Sequence, residues 1–402
     1  MYVCELDRPW TDTPFLFQGF YIEDIDTIDE LRRYCEHVFV DVSRHDDTIT
    51  PPLWAPPQKP ARKTPRPNGS RVTATKTSSQ DCNDATEQLK VDLRAARKAH
   101  EKAQDAVQHM YQRIGSGEDM EISGVKQIID PIMSSVMRND DAISWLVRMQ
   151  RKNDYIYEHS IGSSVWAMMF GKHLGLDSNS LQVLGMGAMF LDVGKTKIPT
   201  ELLIKQGTLT EAEQQTMRKH VDLGVQIVSR IVGVDPRVLA MVQSHHERHN
   251  GTGYPQGLAG ADIPIFARIA GIVDTYDAMT SKRPYAGPKS TYDAMRQLHL
   301  LAGVEFAEEV VEQFVQAIGV FPVGSLVELN TGEVGIVIAQ NRVRRLRPKI
   351  MILLDKNKNT LRDLPIIDLR NQLADASGEQ SLWIEQGLAP GDYGIDPAEY
   401  YI

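Results

Sequence analysis

Between residues 119 and 320 the sequence never alternates apolar and polar residues over the length of a strand; its apolar positions fall at helical spacing, in segments joined by short loops. A stretch this long that reads as helix after helix buries its apolar faces only against other helices, so the pattern predicts an all-α bundle. Within it, IIDPIMSSVMRNDDAISWLVRMQ predicts two scaffold helices, broken at Pro131, which lacks an amide donor, and again around Asp140. The apolar run SIGSSVWAMMFGKHLGL predicts a core helix with His159 at its inner end. Thr210 and Glu213 have the spacing of a capping box, which starts a helix leading to His220.

Polar residues of one chemical kind recur inside this helical framework. HHERHNGTGYP, at residues 245–255, sets two adjacent imidazoles, Glu247 and His249 before a glycine-rich turn. Neighbours on a helix point about 100° apart, so His245 and His246 are expected to serve two faces of a wide metal site and not to crowd one ion. His159, Asp192, His220 and Asp274 lie at long range from this stretch, each in or beside an apolar segment. For His-His alone, the plainer reading is a polar helix end followed by a turn. The scattered imidazoles and carboxylates outweigh it, and such donors favour first-row metals such as Fe or Mn over a thiolate zinc site.

Composition removes several alternatives. The 402 residues are 42% apolar and 24% charged, ordinary for globular protein and long enough for more than one domain. A net charge of −9 argues against general DNA binding while leaving room for a local basic pocket around a small anionic ligand. Cys4, Cys35 and Cys82 lack paired or ligand-type spacing, which suits a reducing cytoplasm. Glu5, Asp7 and Arg8 interrupt the start, so no signal peptide is read there, and no apolar run approaches the roughly 20 residues of a membrane span.

Taken together, EHS at 158–160, LDVGK at 191–195, KH at 219–220, HHERHNGTGYP and VDTYDAMTSKRPY at 273–285 resemble the HD-GYP family, in family order, over roughly residues 150–320. The resemblance implies two divalent metals. His159, Asp192 and Asp274 would hold one; His220, His245 and His246 would hold the other, with Asp192 bridging. It implies metal-dependent hydrolysis of cyclic di-GMP to pGpG, with onward hydrolysis to GMP left open. Asp192 and Lys195 would be the catalytic pair, Lys195 neutralising a phosphate oxygen, while Gly253, Tyr254, Pro255 and Arg283 would bind substrate.

Three departures from the family pattern matter. The name-giving histidine is Leu191, which removes a ligand from the first metal; a basic position after Arg283 is Ala286; and a glutamate that supports a third metal in some members is Tyr155, which implies a two-metal centre. These substitutions keep a second reading open: a catalytically impaired module that binds cyclic di-GMP or a diguanylate-cyclase partner. A general HD-type nucleotide phosphohydrolase is weaker, because such enzymes do not need the GYP loop.

Outside the module the expected architecture is mainly α, with small β-containing domains at either end. Residues 1–50 read as strands flanking one helix and are similar to the domain of unknown function that often precedes HD-GYP modules; the family pattern puts a further strand before Met1, which leaves open whether Met1 is the true start. Residues 51–83 are a proline-rich linker, expected to be mobile, and 84–118 a connecting helix. Leu89, Leu93, Ala96, Ala103, Val107 and Met110 form a thin apolar stripe on that helix, open either to a homodimer or to the chain's own module. Residues 321–370 alternate around NTGE and DKNKNT turns and predict a small antiparallel sheet or barrel, followed by an acidic tail, 371–402, which Trp383 and Ile384 are able to dock.

Overall fold

The structure, a computed structural model, describes residues 2–6, 20–22, 25–35, 37–41, 79–118, 120–149, 155–282, 287–341, 344–371, 382–395 and 400. Most of the 51–83 linker, and Arg283 with Ala286, lie outside the described residues. The chain divides into two compact units, Met1–Leu89 and Lys90–Ile402.

The first unit pairs β1 (Tyr2–Leu6) with β2 (Phe20–Tyr21) on one side and, after α1 (Ile25–Tyr34), with β3 (Val38–Asp41) on the other, both antiparallel. Val3 and Leu31 form its core. Helix α2 (Ser79–Ser116) begins in this unit and continues through the second.

In the second unit, α3 (Ile122–Arg138), α4 (Asp140–Met149), α5 (Tyr155–His173) and α6 (Ser178–Phe190) precede a 3-10 turn over Val193–Lys197. Then come α7 (Thr200–Leu203), α8 (Glu211–Arg218), α9 (His220–Val228), α10 (Pro236–Ser244), α11 (Ile265–Thr280), α12 (Thr291–Leu300) and α13 (Glu308–Ile318). Helices α5 and α6 are apolar around most of their circumference because they are buried in the middle of the bundle. The capping box is present at the start of α8, where Thr210 and Glu213 bond each other's backbone amides.

One helix boundary differs from expectation and its neighbour agrees. Pro131 does not break its helix: α3 runs through it, because Ile128, Ile129, Ile132 and Val136 bury one continuous face that offsets the lost backbone bond. The break falls at Asn139, whose side chain accepts from the Ala142 amide at 3.3 Å and donates to Asp92 of α2 at 3.0 Å. The stripe on α2 is also resolved. Ala96, Ala103, Val107 and Met110 are buried within the chain itself, so from Ala96 onward that face is not available to a second copy.

The C-terminal sheet has five antiparallel strands in the order β7-β6-β5-β4-β8, made of β4 (Leu326–Leu329), β5 (Val334–Ala339), β6 (Lys349–Leu354), β7 (Ile366–Asp368) and β8 (Ile384–Leu388). It extends beyond residue 370, since β8, from the acidic segment, pairs Leu388 with Leu326. Trp145 of α4 joins the core of this sheet with Leu326, Ile336 and Leu353, which fastens it to the bundle.

Candidate metal centre

Six of the singled-out residues come together in two groups, although they start from five separate elements. His159 is on α5, Asp192 caps the 3-10 turn after α6, His220 opens α9, His245 and His246 follow α10, and Asp274 lies within α11. One ligand-type atom from each of His159, Asp192 and Asp274 lies within 4.8 Å of the others, and the same holds for His220, His245 and His246. His245 and His246 therefore do serve one point. The 100° argument does not apply to them, because α10 ends at Ser244 and the pair sits in the turn beyond it. Similarly α8 ends at Arg218, and His220 enters the site as the first residue of a new helix.

Glycine makes this convergence possible at Gly194. A Cβ there would lie 1.9 Å from the His220 carbonyl oxygen, so only glycine lets the turn carrying Asp192 abut the start of α9. Asp192 then looks both ways: Oδ2 is 3.5 Å from His159 Nε2 and Oδ1 is 3.5 Å from His220 Nε2. Lys195 Nζ sits 2.5 Å from Oδ2, while the buried Oδ1 has no hydrogen-bond donor. Burial alone would raise the Asp192 pKa, but the Lys195 ammonium, then His159 and His220, outweigh it and hold the carboxyl well below the usual range.

The two groups differ in how their imidazoles are held. His220 Nδ1 is 2.8 Å from the Met217 carbonyl and His245 Nδ1 is 2.9 Å from that of Val242. A carbonyl only accepts, so both Nδ1 atoms carry the proton. Burial pushes His220 below its ordinary value and His245 down to about 4, and it acts with the neighbouring His245 to hold His246 well below. These rings are neutral at pH 7. Their Nε2 lone pairs accordingly face each other across 3.5 Å, an arrangement that a cation satisfies and a proton on either side only half satisfies. The donor set fits a metal.

His159 is different, because both of its nitrogens face carboxylates. Nε2 is 2.9 Å from Asp274 Oδ1 and Nδ1 is 2.8 Å from Asp277 Oδ2. Ionised carboxylates only accept, so without a metal the arrangement is satisfied by an imidazolium. Asp274 is correspondingly held well below the usual carboxylate range: burial opposes this, and the His159 hydrogen bond and charge overcome it. Asp277 also receives Trp166 Nε1 on Oδ1 and Ser281 Oγ on Oδ2, each at 2.9 Å. It orients His159 as a carboxylate behind a metal-ligating histidine does. In the sequence Asp277 lies three residues after Asp274, and that spacing, which puts both on one helix face, is the signal available for it.

The GYP loop is braced against the same turn. Glu247 is buried and accepts from the Gln256 and Leu258 amides at 2.7 and 2.9 Å. A Cβ on Gly253 would come within 2.5 Å of Arg248 N, Glu247 Cα and His246 O, so the close approach at this glycine is to the chain's own backbone. The Tyr254–Pro255 peptide is cis, and the Tyr254 ring stacks on His246 at 4.6 Å with Arg218 over it at 4.7 Å. His249 joins neither ligand group; its amide donates to the Glu305 carbonyl at 2.8 Å. Leu191 is 1% exposed at the C-terminal cap of α6, and Tyr155 opens α5.

Residues 140–310 match the HD domain family, residues 1–125 a domain of unknown function (DUF3391), and residues 326–374 a KOW domain associated with the HD domain. A cyclic di-GMP phosphodiesterase of Pseudomonas aeruginosa is 28% identical over 378 residues, covering 92% of this chain and 86% of that protein. The chain carries an HD domain preceded by a domain of the DUF3391 type. Other similarities are confined to part of each protein. A cyclic di-GMP phosphodiesterase response regulator of Xanthomonas campestris is 39% identical over 120 residues, 30% of this chain and 32% of that protein. A 3′3′-cGAMP-specific phosphodiesterase of Vibrio cholerae is 39% identical over 118 residues, 28% of this chain and 22% of that protein. No helix among the described residues is long and apolar enough to cross a membrane.

Proposed function

We propose that this chain is a metal-dependent phosphodiesterase that opens cyclic di-GMP to linear pGpG. The observation that carries the reading is the pair of ligand groups sharing Asp192 beside a GYP loop, on a chain similar over most of its length to a phosphodiesterase of that name. His159, Asp192 and Asp274 would hold one divalent metal, and His220, His245 and His246 a second; imidazole and carboxylate donors without thiolate suit Fe or Mn. Bound there, the metals supply Lewis-acid charge that lowers the pKa of water and offsets negative charge on the phosphate.

Hydrolysis adds a water oxygen to one phosphorus and breaks its bond to the ribose 3′-oxygen, which takes up a proton. Lys195, part-buried and held on Asp192, adds a fixed positive charge where the equatorial oxygens gain negative charge. The Tyr254 phenol has its pKa raised first by burial, then by Asp274 and Asp192, so it stays protonated and able to donate to a phosphate oxygen. The cytoplasmic setting suggested by the cysteines goes with this reading. Protein loaded with Fe or Mn under reducing conditions is expected to release pGpG, followed by chromatography alongside GMP. Metal-replete protein that yields no linear product from cyclic di-GMP rejects the activity. The Vibrio cholerae relative makes 3′3′-cGAMP the competing substrate to include.

One observation favours a second reading. Leucine at 191 leaves the first group with three protein ligands, so a module that binds cyclic di-GMP or a diguanylate-cyclase domain without turnover remains in competition. Calorimetry separates the two: saturable binding by metal-loaded protein with no product supports the second.

A further inference from the structure

The cations around the ligand groups are not equivalent. Lys195 is paired with Asp192 at 2.5 Å, and Arg248 with Glu305 at 3.2 Å. Arg218 is exposed and forms no ion pair among the described residues. Its guanidinium carbon nevertheless has a fixed place, 4.7 Å from the centroid of the Tyr254 ring, and that ring stacks on His246 at 4.6 Å with an interplanar angle of 22°. An unpaired positive charge therefore stands at the end of an Arg218–Tyr254–His246 column whose other end is a member of the second ligand group.

We propose that Arg218 binds the second phosphodiester of the cyclic dinucleotide, the one not being hydrolysed; the inference rests on the phosphodiesterase reading above. A cyclic dinucleotide carries two phosphodiesters, each with one negative charge, fixed across a single macrocycle. If the ligand groups take one, the other needs its own cation, in a protein whose net charge is −9. A guanidinium packed on an aromatic face keeps the N–H donors around its rim, in the fork that fits two phosphate oxygens. The stack also orders the side chain beforehand, which lowers the entropy lost on binding. The loop beneath is itself fixed by the two amide hydrogen bonds to Glu247.

The test uses the full-length, metal-loaded protein and its Arg218→Ala and Arg218→Lys variants, with cyclic di-GMP, cyclic di-AMP and inorganic metal content as readouts. Removing a charge-assisted contact predicts that Arg218→Ala raises Kd and KM for cyclic di-GMP about tenfold to a hundredfold, with kcat at saturation and metal content held. Arg218→Lys is expected to recover part of the loss, and the fold-loss is expected to be the same for any cyclic di-AMP binding. A loss confined to cyclic di-GMP would assign Arg218 to a guanine edge and overturn the phosphate assignment. Unchanged affinity in Arg218→Ala, with the unsubstituted protein binding normally, overturns it too and leaves the activity standing. Absence of cyclic dinucleotide binding by the unsubstituted protein removes both.

Discussion

The two ligand groups share Asp192 and lie in one bundle, yet they are prepared for a cation in opposite ways. The group of His220, His245 and His246 is two buried imidazoles and a half-buried one, all neutral, two of them locked by backbone carbonyls with their bare nitrogens converging. The group of His159, Asp192 and Asp274 is closed on itself, with His159 facing a carboxylate on each of its nitrogens, an arrangement that an imidazolium satisfies in place of the cation. The first arrangement gains a partner when metal binds; the second must exchange one. The lesson is that equal distances among donors do not make equal sites, because the protonation set by neighbouring groups decides what a metal has to displace.

The comparison is broken most completely at the residue the groups have in common. Asp192→Asn removes the carboxylate between them and with it the Asp192–Lys195 ion pair, so activity is expected to fall by well over about a hundredfold, beyond what loss of a supporting residue costs. Metal content should fall at both groups, read by elemental analysis of anaerobically purified protein. Loss at only one group would show that Asp192 does not bridge.

Asp277→Asn separates the groups. Three donors converge on the two oxygens of Asp277, so an amide cannot satisfy them. If its nitrogen faces His159, Nδ1 must accept and the proton moves to Nε2, the nitrogen that would ligate. The expected result is a roughly 10- to 100-fold loss of metal affinity and rate at the His159 group, with the His220 group unchanged. A variant that binds two metals as tightly as the parent would show that Asp277 supports only the fold.

Leu191→His tests the same asymmetry in the direction of gain. An imidazole there is expected to raise metal content at the His159 group and to speed hydrolysis, by up to about the tenfold or more that a supporting residue can be worth. Unliganded, it would cost about 1–3 kcal/mol in its buried site, so the metal-free variant should melt earlier and recover with metal. No gain in metal or rate would mean that position 191 does not face the centre.

Much of this was legible in the residues, because ligand types and helical spacing are local. The capping box at Thr210 follows from two residues three apart, and so does the presence of Asp192 and Lys195 on one turn. Chain geometry at element ends was less accessible. That His245 and His246 meet at one point depends on α10 stopping at Ser244, and no glycine or proline marks that stop. Pro131 looked like a break because its local cost is plain, whereas the buried face that outweighs it is tertiary. Strand β8 was read within an acidic tail, since its pairing partner lies more than fifty residues away. Arg218 carried no signal at all: its contact with Tyr254 joins the last residue of α8 to the GYP loop, which only the fold brings together.

The smallest expected effect is also the most direct measure of the contrast, the protons released on binding metal. The carboxylates on both sides of His159 are satisfied by a proton on Nε2, which must leave before this nitrogen can ligate, so filling its group is expected to release about one proton. His220 and His245 hold their only proton on Nδ1, toward carbonyls, so filling theirs should release none. Calorimetry in buffers of different ionisation enthalpy counts the protons, and His245→Ala protein isolates the His159 group. The sign follows for pH. Where one proton is displaced, affinity should rise about tenfold per unit as pH increases. At the His220 group, where burial holds all three imidazoles below their ordinary value and His245 at about 4, affinity should depend less on pH around neutrality. Equal proton counts at the two groups would mean that His159 is neutral before metal arrives, and the exchange that distinguishes the groups would not exist.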